Sequence, residues 1–339
     1  MTRPLVVVDA DVLGRHRTGD ETYVLNLLRE LAPLVPDSGL RIAAVARARA
    51  LVPTGIEAVE LTAHSQELRM TLLLPRLLRS LGAALGHFQY ALPLLLPCPG
   101  IVTVHDLSFE RRPELMGRKD RLVFRRVVPR AARKATRILT VSERTRRDLR
   151  ELYGVPDEKI VVTPNGVDPA FSPGPGSHDY VLAVGAVQER KNPLAALAAA
   201  EAVGLPLVVA GPAKDEALVR ELERRGARVT GYVDQRELAE LYRGAACLVQ
   251  ASRYEGFGLP VLEAMASGTP VVAVPEPALQ EVAGDAAVWA EELELGEGIR
   301  RALAERERFV AAGLERARRF SWAAAARRTL EVYCEALGL

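Results

Sequence analysis

Short, continuous apolar runs alternate with longer amphipathic segments along most of this chain, and this alternation restricts its fold more than any other feature. The apolar run at residues 5–8 is followed by a polar stretch and then by a helical pattern with apolar side chains at Tyr23, Leu27 and Leu31. Parallel strands covered by helices on both faces give such runs, because neither face needs polar residues. The chain is therefore predicted to be α/β, with open parallel sheets.

Two series of strands are predicted, one in each half of the chain. The predicted strands are residues 5–8, 42–45, 59–61, 86–89, 101–104 and 138–141, then 180–184, 207–210, 228–230, 247–250 and 271–274. A cluster of prolines and glycines at residues 164–177 separates the two series, as is typical of a linker.

The charge changes sign near the same place. Residues 1–172 carry 26 basic and 19 acidic side chains, a net charge of +7, whereas residues 173–339 carry 19 and 24, a net charge of −5. Two Rossmann-like domains are predicted, 1–172 and 173–320. The segment 321–339 is predicted to be a helix that packs back on the first domain.

Composition excludes several classes of protein. A hydrophobic content of 49% with 26% charged residues is typical of a globular chain. The three cysteines, Cys98, Cys247 and Cys334, fit neither a disulfide framework nor a zinc site. No apolar run approaches the length of a membrane span, and no signal peptide is evident, so we expect a cytoplasmic protein, soluble or peripheral at the inner face of the membrane.

The segment with the clearest chemistry is 251–266, which follows a predicted strand and opens a predicted helix. Gly256 and Gly258 would let the backbone approach a ligand, and the helix N-terminus would offer N–H groups to a phosphate. Glu255 and Glu263 could then contact the two ends of a diphosphate-linked ligand. The alternative is an ordinary turn, with a solvated Glu255 and a capping or salt-bridged Glu263.

Several motifs, in order along the chain, decide between these alternatives by resemblance. The run from Glu255 to Glu263, EGFGLPVLE, resembles the signature of retaining glycosyltransferase family 4, and most closely its mannosyltransferase branch of bacterial polysaccharide synthesis. The other matching motifs are TGDETY at 18–23, VHDL at 104–107, TVSE at 140–143, TPNGVD at 163–168, ERKN at 189–192, GYV at 231–233, EVAGDAA at 281–287 and RFSW at 319–322.

This resemblance implies the GT-B fold, two facing Rossmann-like domains with parallel sheets and a cleft between them. It also implies a nucleotide-sugar donor held mainly by the C-terminal domain. Glu263 would hold the ribose hydroxyls, and Glu255 would lie beside the transferred sugar. The backbone would face the diphosphate along the loop and the start of the helix, at Gly256, Phe257, Gly258, Leu259 and Val261.

The resemblance assigns four further positions. Arg190 and Lys191 would neutralise the charge that develops on the leaving diphosphate. His105 would lie near the donor sugar and leaving phosphate, and Gly19 would offer its backbone across the cleft. The base would be read around Val233, mostly through the backbone.

Each of these assignments has a plainer alternative. Arg190 and Lys191 could form an exposed turn before a helix, and a lone histidine such as His105 at a strand end is usually structural.

One position also departs from the family pattern. Many relatives carry an arginine after the glycine that closes the first strand of the second domain, where Gly185 is followed by Ala186 here. Either Arg190 supplies that charge, or Lys191 and backbone groups alone hold the diphosphate.

Metal and dinucleotide sites find little support. Asp9-Ala10-Asp11 matches an Asp-any-Asp metal pattern, but it follows the first strand too early, and we interpret it as a strand-end turn. The loop after that strand lacks a Gly-x-Gly-x-x-Gly motif. The five histidines have no metal-ligand spacing. We therefore expect neither an essential metal nor a cofactor. The nucleotide-sugar would be a substrate, and the resemblance implies GDP-mannose.

The basic half suggests a partner of its own. Residues 111–137 hold 11 lysines and arginines, and residues 72–85 are largely apolar. This combination suits an anionic membrane surface or a lipid-diphosphate acceptor, while the alternative is ordinary solvated helix faces. Aromatic residues make up only 5% of the chain, so nucleic-acid binding is not expected.

The sequence thus predicts a metal-independent, retaining hexosyltransferase, with mannose from GDP-mannose passing to a hydroxyl of a glycan or lipid-linked saccharide. Two alternatives stay open at this point. One is an enzyme of the same fold that uses a UDP-sugar, and the other is a non-catalytic two-domain protein that binds a small solute.

Overall fold

A computed structural model describes residues 3–15 and 18–339. The chain forms two compact units. The first runs to Gly166 and also contains Trp322–Leu339, and the second is Val167–Ser321. Each unit contains one parallel sheet, as the alternation of strands and helices predicted.

The first unit is built on a seven-stranded sheet in the order β3-β2-β1-β4-β5-β6-β7. Its core contains fully buried side chains from strands and helices, such as Val102, Leu74 and Val128. Its strands are β1 (Leu5–Asp9), β2 (Arg41–Ala46), β3 (Glu57–Glu60), β4 (Leu85–Gln89), β5 (Gly100–Val104), β6 (Arg137–Thr140) and β7 (Ile160–Val162). Its helices before the second unit are α1 (Thr18–Leu31), α2 (Gln66–Leu68), α3 (Leu74–Ser80), α4 (Ser108–Arg111), α5 (Arg118–Lys134) and α6 (Glu143–Tyr153).

The second unit is built on a six-stranded sheet in the order β10-β9-β8-β11-β12-β13. Its strands are β8 (Tyr180–Val184), β9 (Leu207–Ala210), β10 (Arg228–Gly231), β11 (Ala245–Gln250), β12 (Val271–Ala273) and β13 (Val288–Trp289). Its helices are α7 (Pro193–Val203), α8 (Glu216–Arg224), α9 (Gln235–Gly244), α10 (Leu259–Ala266), α11 (Pro277–Ala283), α12 (Leu295–Ala304) and α13 (Arg306–Ala317). Counted from β8, the strand order is 3-2-1-4-5-6, which is the Rossmann order.

All eleven predicted strands are present, with small differences at their ends. Two edge strands, β7 and β13, were missed because they contain only three and two residues, too few for a pattern of hydrophobicity.

The units divide six residues before the predicted boundary at 172. Phe171 packs edge-on against Tyr242 with ring centroids 5.7 Å apart. Arg243 donates hydrogen bonds to the carbonyls of Ala170 and Ser172. These contacts attach residues 167–172 to the second unit, although the proline–glycine cluster begins before them.

The last helix, α14 (Trp322–Leu337), belongs to the first unit and packs against α1. None of the helices in the described ranges is long and apolar enough to cross a membrane.

The order of the strands places a switch point in the second sheet between β8 and β11. There the connections leave in opposite directions, so the loops that follow these two strands open a crevice at their carboxyl ends. The loop after β8 contains Arg190 and Lys191, and the loop after β11 contains Glu255.

Candidate active site

Glu255 is held at this switch point by side chains from the loop after β8 and from the end of β11. Lys191 Nζ lies 2.5 Å from Glu255 Oε1, and Gln250 Nε2 donates to the same oxygen at 2.7 Å. Arg190 Nη1 lies 3.6 Å from Oε2. Glu255 is only 5% exposed, so the solvated glutamate of the plainer interpretation is wrong.

The charges around Glu255 determine its ionisation. Burial alone would raise the pKa of this carboxyl, but the ammonium of Lys191 and the guanidinium of Arg190 outweigh burial and lower the pKa to about 2. Glu255 is therefore a carboxylate at every physiological pH. Its negative charge in turn holds the two cations in place.

Arg190 and Lys191 lie in a single helical turn, Glu189–Lys191. Arg190 Nη1 donates to the carbonyl of Tyr254 at 2.8 Å, and the Arg190 carbonyl accepts from the N–H of Arg253. The side chains of Arg190 and Lys191 are 19% and 16% exposed, so the exposed turn of the plainer interpretation is also wrong. The two loops are joined by these bonds and point both cations at one carboxylate.

Gly185 and Gly258 are needed for the shape of the two loops. Gly258 has φ +108°, and a Cβ there would lie 2.6 Å from Leu279 Cδ2. Gly185 has φ +135°, and a Cβ there would come within 3.1 Å of Lys191 Cε. Residues with a side chain rarely adopt such backbone conformations. These positions therefore combine an unusual turn with close packing.

The loop that resembles a diphosphate cradle ends in helix α10, which begins at Leu259. Gly256, Phe257 and Val261 are buried, and Phe257 packs edge-on against Phe320 with centroids 5.9 Å apart. At the start of α10, Val261 and Leu262 donate their N–H groups to the Gly258 carbonyl, and Pro260 has no N–H. Helix N-termini bind phosphates through such N–H groups in other proteins. Contact between this helix start and a diphosphate stays a prediction.

Glu263 lies in α10 and is buried in a different environment. Tyr242, which is fully buried in α9, donates its hydroxyl to Glu263 Oε2 at 2.8 Å. Burial raises the pKa of Glu263 to about 7; the bond from Tyr242 opposes this rise, and the negative charge of Asp168 adds to it. Within residues 3–15 and 18–339, Glu263 is thus neither a helix cap nor part of a salt bridge.

Val233, expected near the base, lies between β10 and α9 and is partly buried. It follows Gly231, whose φ is +73°, and Tyr232, which is half exposed. β10 and β8 are parallel, with β9 between them. Val233 and Lys191 therefore both lie at the carboxyl ends of the strands.

His105 and Gly19 belong to the first unit. His105 follows β5, is buried, and has its Nε2 atom 2.8 Å from Gln89 Oε1. Burial lowers the pKa of His105, although Asp20 and Asp106 oppose this effect, so the ring is neutral at physiological pH. Gly19 lies in the first turn of α1, is exposed, and would tolerate a Cβ without any contact inside 4 Å.

Asp9 and Asp11 belong to a buried ion-pair cluster. Arg69 is 1% exposed and donates to both carboxylate oxygens of Asp9, at 2.6 and 2.9 Å. Arg47 donates to Asp11 at 3.1 Å. The Asp-any-Asp pattern therefore serves the turn after β1, in agreement with the interpretation as a strand-end turn.

Two residues beside the glutamates were not singled out from the sequence. Gln250 could have been recognised, because it is a polar residue at the end of an otherwise apolar strand. Tyr242 carries no such signal, since an apolar helix position occupied by tyrosine looks like any core residue.

Comparison with known proteins identifies the family to which the chain belongs. The description "Glycosyl transferases group 1" matches residues 168–325, and "Glycosyltransferase Family 4" matches residues 17–171. The chain is 31% identical over 265 residues to "O-antigen chain mannosyltransferase B" of Escherichia coli, covering 69% of each protein. It therefore belongs to glycosyltransferase family 4, and it is a hexosyltransferase enzyme with the GT-B fold.

Other relatives extend this comparison. The chain is 34% identical over 254 residues to "D-inositol 3-phosphate glycosyltransferase" of Kineococcus radiotolerans, with 60% of this chain and 58% of the relative covered. Among solved structures, Anabaena HepE in complex with UDP-glucose matches with a TM-score of 0.76 at 15% identity, covering 98% of this chain and 99% of the other. The last similarity concerns the fold alone. Membership of an enzyme family excludes the solute-binding alternative.

Proposed function

We propose that this glycosyltransferase moves mannose from GDP-mannose to a hydroxyl of a glycan or lipid-linked saccharide, with retention of configuration and without a metal. The observation that carries the proposal is the convergence of Lys191 and Arg190 on Glu255, in the loop that leads into the helix of Glu263. The mannosyltransferase of Escherichia coli supports the choice of sugar.

The cations supply what a metal supplies in other transferases. When the bond between the anomeric carbon and the diphosphate breaks, negative charge develops on the leaving phosphate. Lys191 and Arg190, which the Glu255 carboxylate holds close together, can neutralise that charge. The acceptor hydroxyl attacks the anomeric carbon from the side of departure, and its proton passes to the leaving diphosphate oxygen. Glu255 bonds hydroxyls of the sugar and steadies positive charge at the anomeric carbon.

The remaining predicted residues have supporting roles in this proposal. Glu263 holds the ribose hydroxyls, and the backbone from Gly256 to Val261 faces the diphosphate. For His105 and Gly19 of the first unit we propose the roles that the family resemblance implies. Because Gln89 Oε1 can only accept, the neutral His105 ring donates from Nε2 and offers Nδ1 as an acceptor. The base is read near Val233.

Nucleotide-sugar hydrolysis tests this function. The purified protein should hydrolyse GDP-mannose slowly with EDTA present. Glu263→Ala should weaken nucleotide binding about 10- to 100-fold, because a hydrogen-bonded charge is lost, whereas Glu255→Ala should spare nucleotide binding and lower turnover. Complete dependence on manganese would disprove the metal-free mechanism. Two variants that behave like the parent would disprove the assignment of the site.

A UDP-sugar donor is the second candidate, and the UDP-glucose complex of the similarly folded Anabaena protein favours it. A thermal-shift panel of nucleotide-sugars separates the two candidates. A ligand at 100 times its dissociation constant stabilises a protein by about 2.7 kcal/mol, which is readily measured. The larger shift with GDP-mannose or with UDP-glucose identifies the base.

We also propose that the first unit contacts an anionic membrane at the inner face of the cell. The connection between β4 and β5 is a loop without a helix, and it leaves Leu94 and Leu95 56% and 60% exposed. Arg130 of α5 donates to the carbonyls of Leu92 and Leu94, so this loop lies beside the basic helix. Exposed leucines next to arginines fit the boundary between acyl chains and anionic headgroups.

Sedimentation with vesicles tests the membrane contact. Binding should require anionic lipid. It should weaken in Leu95→Ser, which removes an exposed apolar side chain, and in Arg126→Glu, which reverses an exposed charge of α5. Leu293→Ser is the control, because Leu293 is 98% exposed in the second unit. Equal binding to neutral and anionic vesicles, or equal loss in the control, would refute the contact.

A further inference from the structure

Tyr242 contacts Glu263 but has no assigned part in the reaction. In the described ranges, its hydroxyl is the one side-chain hydrogen-bond donor to the Glu263 carboxylate, and it binds Oε2 at 2.8 Å. The other carboxylate oxygen, Oε1, makes no hydrogen bond within these ranges and is not sealed from solvent. The carboxylate is thus fixed on one side and open on the other.

The position of Tyr242 is itself determined by several contacts. Its ring packs edge-on against Phe171, and its carbonyl accepts a hydrogen bond from Thr269 Oγ1 at 2.6 Å. The side chain is fully buried, so its hydroxyl cannot turn to water when Glu263 changes its charge. A buried donor of this kind favours the ionised form of the carboxyl that it contacts.

Asp168 acts on the same carboxyl with the opposite sign. It lies at the start of the second unit, and its negative charge raises the pKa of Glu263. Tyr242 in α9 and Asp168 in the linker are the groups in the described ranges that act on Glu263 besides burial itself. Burial is the largest influence on the charge of Glu263, and the hydroxyl of Tyr242 opposes it.

We propose that Tyr242 is a positioning residue for the nucleotide: its hydroxyl holds one oxygen of the Glu263 carboxylate and leaves the other open to the ribose hydroxyls. Ribose hydroxyls donate hydrogen bonds to a carboxylate, and a protonated carboxyl loses part of this acceptor capacity. This inference rests on the proposed contact between Glu263 and the ribose.

The two neighbours provide a test with opposite signs. Binding of GDP-mannose and UDP-glucose to the full chain is measured by calorimetry from about pH 5.5 to about pH 8.5, where Glu263 titrates but the diphosphate of the ligand does not. Parent affinity should rise with pH through a midpoint near the pKa of Glu263. Tyr242→Phe should raise that midpoint by about one pH unit, giving about fivefold weaker binding at pH 7 that recovers at higher pH.

Asp168→Asn should lower the midpoint and strengthen binding in the acidic part of the range. Tyr180→Phe is the matched control, because the Tyr180 hydroxyl donates to the carbonyl of Leu241, next to Tyr242 in the same helix, and not to Glu263. A purely structural role would weaken binding equally at every pH. Such uniform weakening in Tyr242→Phe, or equal shifts in Tyr180→Phe, would overturn the proposal.

Glu263→Gln distinguishes failure of the inference from failure of the proposed function. If this variant binds with the affinity and pH profile of the parent, Glu263 does not hold the nucleotide and the proposed function of the site is wrong. If it binds weakly and without pH dependence while Tyr242→Phe leaves the midpoint unchanged, only the role of Tyr242 is wrong. Should Tyr242→Phe fail to fold, Phe171→Leu, which removes the ring packed against Tyr242, takes its place and should shift the midpoint in the same direction.

Discussion

Glu255 and Glu263 are separated by seven residues, and both are buried, yet their environments push their ionisation in opposite directions. Lys191 and Arg190 lower the pKa of Glu255 to about 2, whereas burial with few compensating groups raises that of Glu263 to about 7. Burial by itself disfavours the ionised form of both carboxyl groups. The difference shows that the partners each glutamate meets in the folded unit, and not the residue type or its depth, decide its charge.

The first way to test this comparison is to remove the cation nearest Glu255. Lys191→Met should lower turnover about 100- to 1000-fold, the usual loss when one preorganised group that stabilises developing charge is deleted. Steady-state kinetics measure the effect. Lys214→Met, at an exposed position of the same unit, is the control. A loss below about threefold would mean that Lys191 does not face the leaving group.

The second test concerns the stability of the unliganded protein. Because the folded-state pKa of Glu263 is raised, its contribution to stability is fully present below about pH 4.5 and is lost as pH rises to about 7. Between about pH 4.5 and about pH 7, the free energy of unfolding of the parent protein should therefore fall by about 3 kcal/mol relative to that of Glu263→Gln.

Urea denaturation of both proteins at several pH values measures this difference. Glu255 predicts the reverse, since its lowered pKa gives stability that is present above about pH 4.5 and lost as pH falls towards about 2. Glu255→Gln should thus lie below the parent in stability at neutral pH. Parallel pH profiles for the two variants would contradict the comparison.

A smaller effect is expected from the neutral partner of Glu255. Gln250→Leu removes the donor to Oε1 and should lower turnover about tenfold, as expected for a lost hydrogen bond to a charged group. Nucleotide affinity should change little, because Glu263 is untouched. Separate measurement of kcat and nucleotide Kd checks this, with the exposed Gln280→Leu as control. Loss confined to nucleotide affinity would contradict the role of Gln250.

The smallest effect is expected for an ion pair on the surface of the same loops. Arg253 and Glu189 pair at 3.1 Å with both side chains exposed to solvent. Arg253→Ala should change the free energy of unfolding by less than about 1 kcal/mol. Urea denaturation measures this change, and a change as large as that from Glu255→Gln would show that burial is not what distinguishes the glutamate cluster.

Much of the fold could be predicted, because strands such as β5 and β11 are buried on both faces and need apolar runs. The site was predicted in part, since Glu255, Glu263, Arg190 and Lys191 lie in recognisable motifs. Gln250 was overlooked although it is a polar residue at the end of an apolar strand. Tyr242 could not be assigned to the site, because its importance lies in the carboxylate that it meets. That contact joins residues from different elements and has no local signal.

The amino-acid sequence by itself determined the two parallel sheets, the approximate boundary between the units and the loops that carry charged groups. These depend on local hydrophobicity and on turn residues such as Gly258. The tertiary structure alone decided which charges meet: both cations at Glu255, and a tyrosine hydroxyl with a nearby carboxylate at Glu263. Electrostatic effects depend on distance and burial in three dimensions, so two identical side chains with seven residues between them acquire different chemistry.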